Sequence, residues 1–93
     1  MTETSKSVRV VVSGRVQGVF FRATTAQRAA EAQVTGWVRN RSDGSVEAHF
    51  EGPASAVDAL VAWCEIGSLH AKVTGVSCEN ATFERAKGFR VRS

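Results

Sequence analysis

The chain has 93 residues, a formal net charge of +3 and 43% hydrophobic residues. That is the size of one small domain, too apolar for a disordered chain and too short for a second core. No run approaches the roughly 18 apolar residues of a membrane span, so a ligand is expected to be small and to sit on a face or loop.

Residues 1–6 are polar and lack the apolar stretch of a signal peptide. They read as a flexible N-terminal tail and set the expectation of a cytoplasmic protein, with residues 7–93 as a single domain. Ser7 to Ser13 holds Val8, Val10, Val11 and Val12, a β-branched run of strand length bounded by Gly14. From Phe21 to Val34 the period becomes helical, through Ala26, Ala29, Ala30 and Val34, and Gly36 suits a C-terminal cap. Trp37 and Val38 begin a second strand, and Ser42-Asp43-Gly44 signals a hairpin turn.

Val46, Ala48 and Phe50 then alternate as a strand with one buried face, which places His49 toward solvent. Gly52-Pro53 breaks that strand and opens a second helix, whose stripe is Val57, Leu60, Val61 and Cys64; Gly67 ends it. Ala71, Val73 and Val76 predict a fourth strand that bends at Gly75. Residues 79–87 read as a polar excursion, and Phe89 and Val91 as a short last strand. The order β-α-β-β-α-β plus a terminal strand is the ferredoxin-like α+β arrangement, with two helices on one face of a mostly antiparallel sheet. That fold names no function.

Cys64 and Cys78 match no metal-ligand spacing and read as reduced, mostly buried thiols, with a disulfide between them left open. Residues 1–46 carry seven basic groups against three acidic ones, and nine of the twelve basic residues are arginine. Arginine's planar fork of donors suits phosphate and carboxylate.

The chemistry concentrates in Gly14-Arg15-Val16-Gln17-Gly18-Val19-Phe20-Phe21-Arg22, between the first strand and the first helix. Two glycines allow a tight turn that exposes backbone N–H groups, and a helix N-terminus follows, so the segment can cradle an anion. Arg22 can close over it. The segment lacks the Gly-Lys-Ser/Thr ending of a nucleotide P-loop and the spacing of a dinucleotide fingerprint. Loops of this kind also serve only to turn the chain.

Val12-x-Gly14-x-Val16-Gln17-Gly18-Val19-x-Phe21-Arg22 resembles the first signature of the acylphosphatases. Gly36-Trp37-Val38-Arg39-Asn40, followed by Gly44-x-Val46 and Gly52, resembles their second. The resemblance runs from about Val8 to Arg92. It implies hydrolysis of the carboxyl–phosphate anhydride of a small-molecule acyl phosphate, releasing a carboxylate and inorganic phosphate. It implies that Arg22 binds phosphate, that Arg15, Val16, Gln17, Gly18 and Val19 form a backbone cradle, and that Asn40 orients the attacking water. No metal and no cofactor are implied, and a monomer acting on neither nucleic acid nor membrane is the expected form.

His49 and His70 belong to no catalytic spacing. Arg39 and Arg41 should point away from Asn40 along a regular strand. Trp37 and Trp63 read as packing, and one of Phe20 and Phe21 as the anchor of the loop. Thr25 stands on the Arg22 side of the helix, able to bond either near the site or to the helix backbone. Ser68 stands where many acylphosphatases carry proline and should leave that loop less constrained. Lys87-Gly88-Phe89-Arg90-Val91 has the basic-Gly-aromatic start of an RNA-binding strand but lacks its further aromatics. A phosphate-binding domain without turnover is the other alternative, disfavoured by Asn40.

Overall fold

The computed structural model describes residues 4–92, in which strands and helices follow one another as β1 (Ser5–Arg15), α1 (Phe21–Glu31), β2 (Thr35–Asn40), β3 (Val46–Pro53), α2 (Ala54–Cys64), β4 (Lys72–Asn80) and β5 (Phe89–Arg92). The strands form one sheet in the order β4-β1-β3-β2-β5, antiparallel except where β5 runs parallel to β2. Both helices lie on one face, α1 over β2 and β5, α2 mainly over β1 and β3. The architecture is the ferredoxin-like one expected from the element order.

The core forms because the period-2 valines of the strands meet the helical stripes. Val8, Val10 and Val12 of β1, Val38 of β2 and Val46, Ala48 and Phe50 of β3 are all buried. They pack against Phe21 and Ala29 of α1 and Val57, Leu60 and Cys64 of α2. Each fully buried large aliphatic or aromatic side chain contributes about 1.5–3 kcal/mol. Phe89 faces the same side and stacks on Phe50 with ring centroids 5.9 Å apart.

Several expectations are corrected. Ser5 and Lys6, assigned to the tail, pair with Pro53 and Gly52 in the sheet; residues 1–3 lie outside the described residues. Helix α1 stops at Glu31, not Val34, and the left-handed residue after it is Gln33, at φ 60°. Gly36 is no cap: it lies inside β2, where an added Cβ would sit 1.8 Å from the His49 carbonyl oxygen. A side chain there would drive β2 and β3 apart. Cys64 is buried and free, and burial pushes its thiol up to about 12. Cys78 is free as well, but exposed.

The largest difference concerns the face of the sheet opposite the helices. Alternation left it to solvent, yet Glu47, His49 and Glu51 are each 5% exposed or less. The cover comes from the excursion after β4. Glu51 accepts backbone N–H bonds from Glu84 (2.7 Å) and Arg85 (3.1 Å). His49 donates through Nε2–H to Glu51 at 2.5 Å, since a carboxylate can only accept. Trp37 stacks on His49 at 5.9 Å and donates its indole N–H to Glu84 at 3.0 Å. Trp37 thus packs as expected, but on this back face and not in the core. Glu47 is clasped by Arg9 and Arg39.

Candidate active site

Where β1 ends and α1 begins, an open cleft of about 320 Å³ is bordered by Val16, Gly18, Phe20, Arg22, Asn40 and Val91, among others. Three elements set it. The turn before α1 supplies Val16 to Phe20. The first turn of α1 supplies Arg22. The end of β2 supplies Asn40, which shares the helix-facing side of the sheet with Val38 because side chains alternate along a strand. Arg39, one residue earlier, turns to the back face and bonds Glu47 at 2.7 Å. Arg41 approaches Asp43 at 3.9 Å in the hairpin turn.

The N-terminus of α1 is electrostatically open. Phe20 stands at the N-cap with no side-chain hydrogen bond, and no acidic residue lies in the first turn. The first backbone N–H groups of the helix therefore lack internal partners, and the positive end of the helix dipole is uncompensated. Phe20 itself is held at φ 59°, a left-handed conformation costly for a non-glycine residue, while its ring is 79% exposed. Its neighbour is the anchor: Phe21 is buried and packs on Trp63 at 5.2 Å.

Arg22 is half-buried and donates from Nη1 to the carbonyl of Arg92 at 3.0 Å. That carbonyl belongs to β5, so the last strand fixes the guanidinium over the cleft. Asn40 carries the one buried side-chain polar atom without a hydrogen-bond partner among the described residues, its Oδ1. An unpaired buried acceptor costs about 1–3 kcal/mol and calls for a physical reason.

The turn is anchored from two sides. Gln17 donates through Nε2 to the carbonyls of Arg41 (2.8 Å) and Ser45 (2.9 Å), tying the turn to the β2–β3 hairpin. Ser68 donates to the Val19 carbonyl at 2.8 Å. Ser68 therefore tethers the site, contrary to the expectation of a looser loop. Val16 is buried and Val19 half-buried against the core, and Arg15 is exposed at the end of β1 opposite Lys72. Val16 and Gly18 border the cleft, whereas Gln17 and Val19 anchor the turn. Gly14 serves the β1–β4 pairing: its Cβ would meet the Lys72 carbonyl oxygen at 2.2 Å. Thr25 bonds the Phe21 carbonyl within the helix, at 2.8 Å. The anchoring roles of the Gln17 side chain, Ser68 and the Arg92 carbonyl are not legible in the sequence, since nothing in their local spacing points across the fold.

Among the described residues no group of His, Cys, Asp and Glu is arranged to hold a metal ion. What the cleft offers is a forked cation, a free helix N-terminus and one unpartnered amide.

The family model described as Acylphosphatase matches residues 8–91. An acylphosphatase of Rubrobacter xylanophilus is 58% identical over 95% of this chain and 81% of its own length. One from Haloquadratum walsbyi is 53% identical over 99% of both chains. The solved structure of an acylphosphatase from Coxiella burnetii superposes with a TM-score of 0.91 at 41% identity, covering 95% of this chain and 93% of its own.

Proposed function

The chain belongs to the acylphosphatase family, and on that premise we propose that the Arg22–Asn40 cleft hydrolyses acyl phosphates, with Arg22, the turn from Arg15 to Val19 and the N-terminus of α1 holding the phosphoryl group and Asn40 placing the water. The observation that carries this reading is the meeting, in one cleft, of Arg22, an uncapped helix N-terminus and the partnerless Asn40 amide.

The chemistry asks for little more. The water oxygen forms a bond to phosphorus as the anhydride P–O bond breaks. The carboxylate departs with the electron pair and, being a weak base, needs no strong acid. An amide cannot take the water's proton, but it can orient the water by accepting from it. The proton passes to a phosphoryl oxygen of the substrate itself, giving inorganic phosphate. Phosphoryl transfer is largely positioning and charge stabilisation, and Arg22 with the backbone N–H groups supplies both without a metal.

Purified protein should release phosphate from benzoyl phosphate in the presence of a chelator, well above the spontaneous rate. Release equal to the spontaneous rate, or release that requires a divalent metal, would overturn the reading. A monomer in the cytoplasm completes the proposal, and equilibrium sedimentation tests its monomeric part.

A further inference from the structure

On the other face of the sheet from Arg22 and Asn40 lies a second cleft, of about 460 Å³, bordered by Trp37, Arg85, Lys87, Gly88, Arg90 and Arg92. Its cations arise from the alternation of β5. Phe89 and Val91 turn toward the helices, so Arg90 and Arg92 turn to the back face, beside Trp37 and Arg39 of β2. The chain reaches β5 through residues 85–88, which bring Arg85 and Lys87 to the rim; Arg85 is held there in a left-handed conformation, at φ 55°.

These four cations have no carboxylate partner among the described residues. The nearby acids bond elsewhere: Glu51 to His49 and the Glu84 and Arg85 N–H groups, Glu84 to the Trp37 indole, and Glu47, ion-paired, to Arg9 and Arg39. Arg92 lies over the Trp37 ring at 4.8 Å, while His49 covers that ring as well. Arg39 also approaches the ring, at 5.9 Å, so the aromatic ring is already crowded by His49 and two guanidinium groups and positions Arg92. A concave site of one sign of charge focuses its field and concentrates counter-ions.

We propose that this back-face cleft is a second anion site, distinct from the Arg22–Asn40 cleft, that takes a ligand with several linked phosphate groups. The spread of the cations argues for a chain of phosphates over a single one. Arg90 and Arg92 stand roughly 6.6 Å apart along their strand, and Arg85 and Lys87 approach from a separate segment. Four cations exceed the charge of about two on one phosphate, and forked guanidinium groups in sequence suit successive phosphates. The chain could be free or carried on a nucleoside.

The test is calorimetric titration of the purified chain, in low salt with chelator, using tripolyphosphate, ATP and inorganic phosphate as separate probes. Tripolyphosphate should bind Arg22→Ala as tightly as the wild type, within about twofold. A variant carrying Arg85→Gln, Lys87→Gln and Arg90→Gln should bind it at least tenfold more weakly. Those three side chains are exposed, and an unchanged urea midpoint would show the variant to be folded. Equal affinity for ATP and tripolyphosphate would assign recognition to the phosphate chain alone; tighter ATP would add the nucleoside, and either supports the site. Binding lost in Arg22→Ala, retained in the triple variant, or no tighter than that of inorganic phosphate would overturn it. None of these results depends on whether benzoyl phosphate is the substrate.

Discussion

Asn40 and Arg22 should fail differently when altered, because the proposed mechanism gives them different parts of the reaction. Arg22 is the only charged side chain bordering the cleft among the described residues, so Arg22→Ala should weaken both inorganic phosphate inhibition and turnover. Asn40→Ala removes an orienting amide and leaves the charge in place. Its turnover should fall by roughly 10²–10³, as for loss of a single preorganised hydrogen-bonding group, with phosphate inhibition largely kept. Steady-state kinetics with benzoyl phosphate separates the two, and normal turnover in Asn40→Ala would remove the water-placing role. The same substitution also deletes the orphaned Oδ1, so it should not lower the urea midpoint; a function-neutral, destabilised variant would be the opposite pattern. Gly18 illustrates a residue whose importance was readable but whose reason was not. Spacing marks it as a glycine of a tight turn, and its Cβ would meet no protein atom within 4 Å. The cost of Gly18→Val lies instead in φ 74°, a conformation β-branched residues avoid.

Among the elements, the turn before α1 depends on anchors distant in sequence. Gln17 reaches two hairpin carbonyls and Ser68 reaches the Val19 carbonyl. Ser68→Ala should cost about 1 kcal/mol, the worth of one partly buried hydrogen bond, and should raise the phosphate inhibition constant more than it lowers kcat. Denaturant midpoints and inhibition constants measured together check this; an unchanged inhibition constant would mean the tether is only structural. These anchors mark the limit of what was legible. Val8 to Val12, the Val57–Cys64 stripe and the Asp43-Gly44 turn declare themselves by local period or turn chemistry, and the elements formed there. Arg22 and Asn40 were identified by local motifs, and they border one cleft. The end of α1 was misjudged because Val34 continues the helical period while Gln33, without glycine's freedom, turns the chain. His49 was misplaced because alternation describes a single strand and is silent about the segment 81–88 that later covers it.

Across the whole molecule, that covering segment makes the back face a two-sided core with charge inside it. Burial pushes the Glu51 carboxyl up, but its bonds from His49 and from the Glu84 and Arg85 N–H groups outweigh burial and hold it below its ordinary range. Glu47 follows the same balance, with Arg39 and Arg9 outweighing burial. A carboxyl more acidic when folded than when unfolded stabilises the fold above its ordinary, unfolded pKa. That contribution disappears as pH falls through the lower, folded value. The urea midpoint should therefore be flat near neutrality and decline from about pH 4.5 downward, where the unfolded carboxyls begin to bind protons ahead of the folded ones. Glu51→Gln keeps the size but cannot bind that proton. It should begin less stable at pH 7, by about 1–3 kcal/mol for the weakened bonds of a buried acceptor, and should then lose less than the wild type between pH 6 and 3. Parallel declines in the two proteins would place the acid sensitivity elsewhere. Because Glu51 holds the start of the strand approach that carries Arg85 and ends at Arg92, whose carbonyl holds Arg22, the acid loss should reach the proposed Arg22–Asn40 site too. Amide exchange at residues 84–90 should rise before global unfolding, and hydrolysis should fall with it in the wild type over the same pH interval.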